Sequence, residues 1–201
     1  MKKTASVLAL AAAAALAAGS ASAAVIDFES VATGTYSSLT TGGVTFTFTA
    51  GTGAFEVVAS GSPGAPIAGN ALLSYITNPG PGAFKATMAG GFGSFAIGCG
   101  DYNADEDHCH LSAYDAAGGL LDTATYINPA STYGGGMLSV ASATPIAYVT
   151  FWEDSAAYPG AVYWDNVEFT AAAAVPEPQT YALLALGLAA IGFTARRRKA
   201  G

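Results

Sequence analysis

Basic side chains are nearly absent from the middle of this sequence. Six of the seven Lys and Arg residues lie within the first three or the last six positions, and Lys85 is the only one between them. Thirteen Asp and Glu residues lie between Ala24 and Ala174, so this segment has a net charge of −12. A segment with one base cannot neutralise phosphate backbones, which excludes nucleic acid and anionic lipid headgroups as main partners. Cations and uncharged polymers remain as candidate partners.

Helical periodicity is missing from the same segment. Short apolar runs alternate with polar residues at every second position and are separated by Gly, Pro, Asn and Ser, which is typical of strands with one buried face. About 150 residues make one domain, and this pattern predicts an all-β fold, an antiparallel β-sandwich of jelly-roll type. The predicted strands are residues 25–29, 44–49, 54–59, 71–76, 84–88, 92–98, 110–115, 119–127, 137–142, 145–152 and 161–170.

The N-terminal residues have the three parts of a secretory signal peptide. Lys2 and Lys3 are followed by an apolar core over residues 5–18 and by the small-residue sequence Ala-Ser-Ala at 21–23. We expect cleavage after Ala23, so that the mature protein begins outside the cytoplasm. The predicted organisation is a signal peptide at 1–23, a β-sandwich domain at 24–172 and a C-terminal sorting segment at 173–201.

Cysteine is also scarce. Cys99 and Cys109 are the only two, and in an exported chain a pair is typical of a disulfide rather than of two free thiols.

The C-terminal segment combines a Pro-Glu-Pro tripeptide, an apolar run and a basic end. The run over residues 181–195 spans about 22 Å as a helix, against about 30 Å for the hydrocarbon core, and the bases that follow it would extend its reach and mark the cytoplasmic side. This predicts a short transmembrane helix and transient membrane anchoring. The residues that define the tail are Val175, Pro176, Glu177, Pro178, Arg196, Arg197 and Arg198.

In the order of these parts the tail resembles the PEP-CTERM sorting signal of exported bacterial proteins. The resemblance implies that the chain passes through the general secretion machinery and is a substrate of an exosortase, a membrane-embedded transpeptidase. It implies an inner-membrane-anchored precursor, followed by release to the cell surface or extracellular matrix. More loosely, residues 101–123 and 162–170 resemble galactose-binding-like sandwiches, which supports the fold and transfers no catalytic residue.

The only polar concentration within the domain is residues 98–110. Asp101, Asn103, Asp105 and Asp107 alternate there, and a looping backbone could turn their oxygens inward around Ca²⁺. The spacing departs from the EF-hand pattern, because Glu106 replaces the required Gly and Ser112 the bidentate Glu. A solvated acidic hairpin loop without a metal is the alternative.

A second candidate calcium site follows from the galactose-binding-like resemblance, which implies a structural Ca²⁺ between the first and last strands. Asp27 and Glu29 lie in the first predicted strand and Asp165 in the last. A divalent cation there would relieve the repulsion among carboxylates in a domain with one base.

Other chemistry is less well supported by the residues. His108 and His110 beside Cys109 form a weak zinc pattern, since an oxidised Cys109 cannot be a ligand. Carboxylates such as Glu153, Asp154 and Asp165 could face each other as in glycoside hydrolases, but spacing cannot be derived from sequence. Aromatic residues could form a sugar-stacking surface or simply pack.

We therefore predict an exported, non-catalytic β-sandwich protein of the cell surface or matrix that associates with exopolysaccharide and has at most a structural Ca²⁺. The alternative is a secreted carbohydrate-active hydrolase.

Overall fold

The computed structural model describes residues 23–51, 53–73, 82–102, 105–131, 133–154, 162–173, 185–189 and 191–192. Within these residues the domain is built of antiparallel strands. The strands are β1 Ala23–Ile26, β2 Gly34–Tyr36, β3 Ser38–Thr41, β4 Val44–Phe48, β5 Phe55–Ala59, β6 Asn70–Leu73, β7 Phe84–Asp101, β8 Asp107–Tyr114, β9 Leu120–Asn128, β10 Gly134–Glu153 and β11 Tyr163–Ala171.

Two long strands connect the layers of the sandwich. The first half of β7 pairs with β4 and with the second half of β10, whereas its second half pairs with β11 and with the first half of β10. Gly90 and Gly91 lie between the halves of β7 with φ of 81° and 79°, a left-handed conformation that favours glycine. In β10 the pairing register shifts between Ala141 and Tyr148. Both strands thus contribute to both layers.

The pairings define two layers. The first layer consists of β3, β4, the first half of β7, the second half of β10, β8 and β9. The second layer consists of β2, β5, β6, β11, the second half of β7 and the first half of β10, with β1 paired to β11. The predicted antiparallel β-sandwich is confirmed.

Aromatic rings fill the space between the layers. Phe84 of the first layer lies 4.9 Å from its layer neighbour Phe151 and 5.6 Å from Phe55 of the second layer, measured between ring centroids. Phe151 in turn lies 4.9 Å from Trp164 of the second layer. All four rings are buried. Burying a ring of this size contributes about 1.5–3 kcal/mol, so alternation of apolar residues directly determines which strand faces form the core.

The predicted strands differ from the observed ones in two ways. The two predicted strands on each side of Gly90–Gly91 are one strand, β7, and the two on each side of residues 143–144 are one strand, β10. The prediction also missed β2 and β3, which are short and have little apolar alternation. Residues 74–76, predicted as the end of a strand, lie outside the described residues.

The two ends of the domain lie side by side. β1 pairs with β11 so that Ala23 is opposite Thr170. Residues 1–22, which contain most of the predicted signal peptide, lie outside the described part of the chain, and so do residues 174–184 with the Pro-Glu-Pro tripeptide.

Residues 185–189 and 191–192 are helical, within the apolar run of the tail. Among the described residues, no helix has both the length and the apolar character required to cross a membrane. Most of the predicted membrane span, residues 181–195, lies outside them.

Candidate functional site

The loop that connects β7 to β8 is closed by a disulfide. Cys99 near the end of β7 and Cys109 near the start of β8 are bonded, with their Cα atoms 6.5 Å apart. Both side chains are fully buried. Cys99 belongs to the second layer and Cys109 to the first, so the bond joins the two layers at one edge of the core. The predicted pairing of the two cysteines is confirmed.

Three carboxylates meet inside this closed loop. Asp101 ends β7, Asp107 begins β8, and Asp105 lies between them; one donor atom from each lies within 4.8 Å of the others. We call these three residues the acidic cluster. Asp101 and Asp107 are buried and Asp105 is half-buried. The structure thus brings together three of the four residues predicted as loop ligands, and the fourth, Asn103, lies outside the described residues.

Burial and mutual repulsion act together on the acidic cluster. Removal of Asp107 from water, followed by the charge of Asp101, raises the pKa of its carboxyl to about 7. The Nδ2 of Asn128, 3.3 Å from Asp107 Oδ2, donates a hydrogen bond that opposes this effect. Smaller contributions in the raising direction come from Asp105 and Glu153. A divalent cation would relieve the same repulsion, and carboxylate oxygens are the ligands that Ca²⁺ prefers.

Sequence reasoning missed two neighbours of the acidic cluster. Glu153, only 2% exposed, ends β10 opposite Cys109, and the amide of Asn128 at the end of β9 also donates to the carbonyl oxygen of Gly134. Strand alternation contained a signal for Glu153, because it shares the inward parity of Val149 and Phe151. Nothing in the sequence indicated that the ends of β9 and β10 meet the β7–β8 loop.

The other predicted calcium ligands, Asp27, Glu29 and Asp165, are called the strand-end acids. The two oxygens of the Asp165 carboxylate accept hydrogen bonds from the backbone N–H groups of Ala68 at 3.0 Å and Asn166 at 2.6 Å. Glu29 Oε1 accepts one from Asn70 N at 3.0 Å. Burial raises the pKa of Asp165 to about 6, the two amide hydrogen bonds lower it, and Glu29 and Asp27 add to the raise.

The strand-end acids are therefore near each other, but Glu29 and Asp165 accept hydrogen bonds from backbone N–H groups. In the part of the chain that the structure describes, the acidic cluster is the only set of three metal-ligating side chains whose donor atoms lie within 4.8 Å of one another. The prediction that Asp27 and Glu29 lie in the first strand is wrong, because β1 ends at Ile26 and both follow it. Glu29 and Asp165 hold residues 68–70 to the turn after β1 and to β11.

The outer surface of the first layer has paired rings. Tyr114 of β8 is opposite Tyr148 of β10, and the rings stack with centroids 4.9 Å apart; His110 is opposite Trp152, and their rings stack at 5.1 Å. The ammonium of Lys85 lies 4.1 Å from the centroid of the Tyr148 ring. These five residues, all half-buried, are called the aromatic face.

Hydroxyl groups surround the aromatic face. Strand alternation places on the same surface Thr45, Thr47, Thr87, Ser112, Thr123, Thr125 and Thr150. Thr150 lies between Tyr148 and Trp152, and its hydroxyl is the one buried side-chain polar atom without a hydrogen-bond partner among the described residues. None of the strand positions named for this surface is a carboxylate.

Both histidines lie at one end of this surface, beside two carboxylates. Asp154 Oδ1 is 3.5 Å from His108 Nδ1 and 3.1 Å from His110 Nε2. Glu106 Oε1 is 2.8 Å from His108 Nε2, and this hydrogen bond raises the pKa of His108 above its ordinary value. The carboxylates weighed for glycoside hydrolysis have different neighbours: Glu153 adjoins the acidic cluster, Asp154 contacts histidines and Asp165 accepts hydrogen bonds from backbone amides.

Three tyrosines, Tyr102, Tyr133 and Tyr163, form a separate aromatic group next to the acidic cluster. The ring of Tyr102, which follows Asp101, lies 6.4 Å from that of Tyr133 and 6.3 Å from that of Tyr163. Its hydroxyl donates to the carbonyl oxygen of Ser60 at 2.6 Å. Tyr133 is 71% exposed, which makes it an aromatic residue remote from the aromatic face for comparison.

Comparison with known proteins identifies the tail. Residues 174–199 match the family model of the PEP-CTERM protein-sorting motif, which confirms the predicted sorting signal. The motif marks exported proteins that are sorted through a C-terminal membrane anchor to the cell surface or extracellular space, so this is an exported protein. It also implies processing by an exosortase. No curated protein sequence matches the chain significantly.

The solved structures that match this chain have low identity to it and TM-scores below 0.5. A DUF4465 family protein from Bacteroides caccae is 12% identical, with a TM-score of 0.40, covering 77% of this chain and 94% of the other. A point mutant of a family 29 carbohydrate-binding module is 13% identical, with a TM-score of 0.35 and coverages of 77% and 88%. The family 11 carbohydrate-binding module of a Clostridium thermocellum cellulase is 12% identical, with a TM-score of 0.32 and coverages of 80% and 99%.

Proposed function

We propose that this exported protein is a non-catalytic component of the cell surface or extracellular matrix that binds polysaccharide through the aromatic face. The observation that carries this proposal is the pair of ring stacks at opposed positions of two adjacent strands, Tyr114 with Tyr148 and His110 with Trp152. Amphipathic rings of this kind pack against the apolar faces of sugars while their polar edges stay hydrated.

The surroundings of the aromatic face favour an uncharged polysaccharide. The hydroxyls of Thr123 and Thr125, which are exposed, can donate to and accept from sugar hydroxyls, whereas Ser112 and Thr150 are buried. The net charge of −12 between Ala24 and Ala174 repels acidic polymers at long range. Lys85, the only base of that segment, is held against the ring of Tyr148 and supplies a donor within the surface.

Affinity electrophoresis of the exported protein through gels containing neutral polysaccharides, such as glucans, mannans and galactans, tests this proposal. We expect retardation by at least one polymer and a loss of affinity of roughly tenfold in the double variant Tyr148→Ala, Trp152→Ala, since two stacking contacts are lost. Tyr133→Ala is the matched control, because Tyr133 is exposed and lies outside the aromatic face. An unchanged affinity in the double variant, or equal losses in both proteins, would contradict the proposal.

The alternative, a secreted carbohydrate-active hydrolase, has its own readout. Release of new reducing ends from any of these polymers, abolished by Glu153→Gln, Asp154→Asn or Asp165→Asn, would replace the binding role by catalysis.

The acidic cluster is proposed as a structural Ca²⁺ site. The support is the convergence of Asp101, Asp105 and Asp107 in a part-buried loop closed by a disulfide, with Glu153 close enough to raise the pKa of Asp107. A cation bound only to the folded state at 100 times its Kd stabilises by about 2.7 kcal/mol. Millimolar Ca²⁺ added to chelator-treated protein should therefore raise Tm by several degrees and do so more than Mg²⁺. No shift with either ion would mean that these carboxylates hold no metal.

Exosortase processing is proposed to end the mature chain close to Pro176-Glu177-Pro178. Mass spectrometry of the C-terminus of protein recovered from the native cell surface tests this. A mature protein that still contains Arg196–Arg198 would contradict it.

A further inference from the structure

The two histidines and Asp154 form a second cluster of metal-ligating groups, chemically unlike the acidic cluster. His108 and His110 are two residues apart on β8, so their side chains emerge on the same surface of the first layer. One oxygen of Asp154, Oδ1, faces both imidazoles, at 3.5 Å from His108 Nδ1 and 3.1 Å from His110 Nε2. Two nitrogen donors and one carboxylate oxygen are a ligand set that suits Zn²⁺ and its neighbours among the transition metals, not Ca²⁺.

Glu106 occupies the place of an outer partner in such a site. Its Oε1 lies 2.8 Å from His108 Nε2, the ring nitrogen that faces away from Asp154. A histidine that ligates a metal through one nitrogen commonly donates the N–H of the other to a carboxylate, which fixes the tautomer and the ring orientation. This contact is a second observation, independent of the shared Asp154, and it leaves Nδ1 of His108 as the nitrogen available to a metal.

The positions of the groups are constrained by contacts that involve no metal. The backbone N–H of Asp154 donates to the carbonyl oxygen of His108 at 3.2 Å, which fixes the end of β10 beside β8. The His110 ring is stacked on Trp152 with an angle of 16° between the ring planes. All of these side chains remain accessible, with exposed fractions of 25% for His110, 40% for His108 and 54% for Asp154.

We propose that His108 Nδ1, His110 Nε2 and the carboxylate of Asp154 bind one Zn²⁺ ion, with Glu106 as the hydrogen-bond partner of His108 and the fourth position open to water or a ligand. Binding requires His108 and Asp154 to rotate toward His110, because the three donor atoms are more widely spaced than those of the acidic cluster. Cys109, adjacent in sequence to both histidines, takes no part, since it is bonded to Cys99.

Isothermal titration of the oxidised, chelator-treated protein with zinc chloride tests the site. We expect one ion to bind with micromolar or tighter Kd in the presence of millimolar Ca²⁺, which occupies hard oxygen sites. His108→Ala and Asp154→Asn should weaken binding at least 100-fold, and Glu106→Gln by roughly 10- to 100-fold as expected for an outer partner. Asp105→Asn is the control, because it alters the acidic cluster and leaves these four residues intact.

His110 requires a variant that keeps its stacking on Trp152. His110→Phe preserves a ring at this position and removes the nitrogen donor, so it should lose Zn²⁺ binding while its Tm in chelator stays close to that of the parent. Visible absorption of the Co²⁺-substituted protein supplies a separate readout, since nitrogen ligation changes the d–d bands of the ion. Absence of Zn²⁺ binding below 1 mM, or binding equally tight in His108→Ala and His110→Phe, would overturn the proposal.

Discussion

The acidic cluster and the strand-end acids have the same residue types but differ in what surrounds each carboxylate. The buried carboxylate of Asp165 accepts two backbone N–H groups, and Glu29 accepts a third. The buried carboxylate of Asp107 has Asp101, Asp105 and Glu153 around it and accepts a hydrogen bond from the side-chain amide of Asn128. Burial raises the pKa of both carboxyls; neighbouring carboxylates add to the raise at both sites, and hydrogen bonds oppose it, from the Asn128 side chain at Asp107 and from two backbone amides at Asp165.

This difference separates two uses of buried acid. Where backbone amides supply the hydrogen bonds, the carboxylate fixes the chain and needs no ion. Where the neighbours are other carboxylates, their repulsion destabilises the folded state, and a bound cation can remove that repulsion. The disulfide adds a second difference, because it closes only the loop that contains the acidic cluster.

Of the changes that distinguish the two groups of acids, removal of the disulfide should have the largest effect on the free energy of unfolding. Closing a loop of this length stabilises the folded state by about 2.7 kcal/mol on the chain-entropy model. In the double variant Cys99→Ala, Cys109→Ala we expect that loss, together with a weaker affinity of the acidic cluster for Ca²⁺, because the loop is no longer held closed. Denaturant unfolding with and without Ca²⁺ measures both. If the variant gains as much stability from Ca²⁺ as the parent, the disulfide does not shape the site.

The next largest effect is expected from substituting one carboxylate of each group in turn. Asp105→Asn should abolish the stabilisation by Ca²⁺, about 2.7 kcal/mol at 100 times Kd, whereas Asp165→Asn should leave it intact. Differential scanning calorimetry in chelator and in millimolar Ca²⁺ measures the difference. The opposite pattern, with the shift lost in Asp165→Asn and kept in Asp105→Asn, would move the calcium site to the strand-end acids.

The pH dependence of stability should reveal Asp165. Its pKa is about 6 in the folded protein and near 3.8 when unfolded, so the folded state binds the proton more tightly and stability falls as pH rises from about 4 to about 6. Above pH 6 this contribution is constant. The free energy of unfolding of the parent minus that of Asp165→Asn should therefore fall by about 2 kcal/mol over this window. A difference that is flat, or that rises with pH, would refute the assignment.

Glu29→Ala should have the smallest effect. It removes the acceptor for Asn70 N–H at an exposed position, so we expect a loss of about 0.5–1 kcal/mol that is independent of Ca²⁺. Glu29→Gln keeps an acceptor oxygen and serves as the control, with a change within about 0.5 kcal/mol. A loss in Glu29→Ala that appears only when Ca²⁺ is present would indicate a ligand role.

The sequence predicted the fold well where side chains alternate and poorly where pairing alone makes a strand. Alternating burial in β4 and β5 follows directly from their residues. β2 and β3 are strands because β5 and β4 offer them backbone partners, a long-range condition without a local signal. Gly90 and Gly91 have the composition of a turn, yet partners on both sides keep β7 continuous through its bend.

The candidate sites were predictable only in part for a related reason. Asp101, Asp105 and Asp107 are neighbours in sequence, so their convergence follows from a local loop. Glu153 and Asn128 reach the same place through strand order, and Asp154 reaches both histidines through the pairing of β10 with β8. Spacing along the chain contains no information about such encounters.

The pairing of β1 with β11 has a consequence for the order of events during export. Ala23, the last residue of the predicted signal peptide, lies opposite Thr170, and the sorting motif begins only four residues after Thr170, at residue 174. β1, the first strand of the domain, therefore has no backbone partner until β11, the last strand, has been made. Contacts between residues so far apart in sequence form slowly. The residues that adjoin the predicted signal peptide and the sorting motif therefore lie at the same end of the domain.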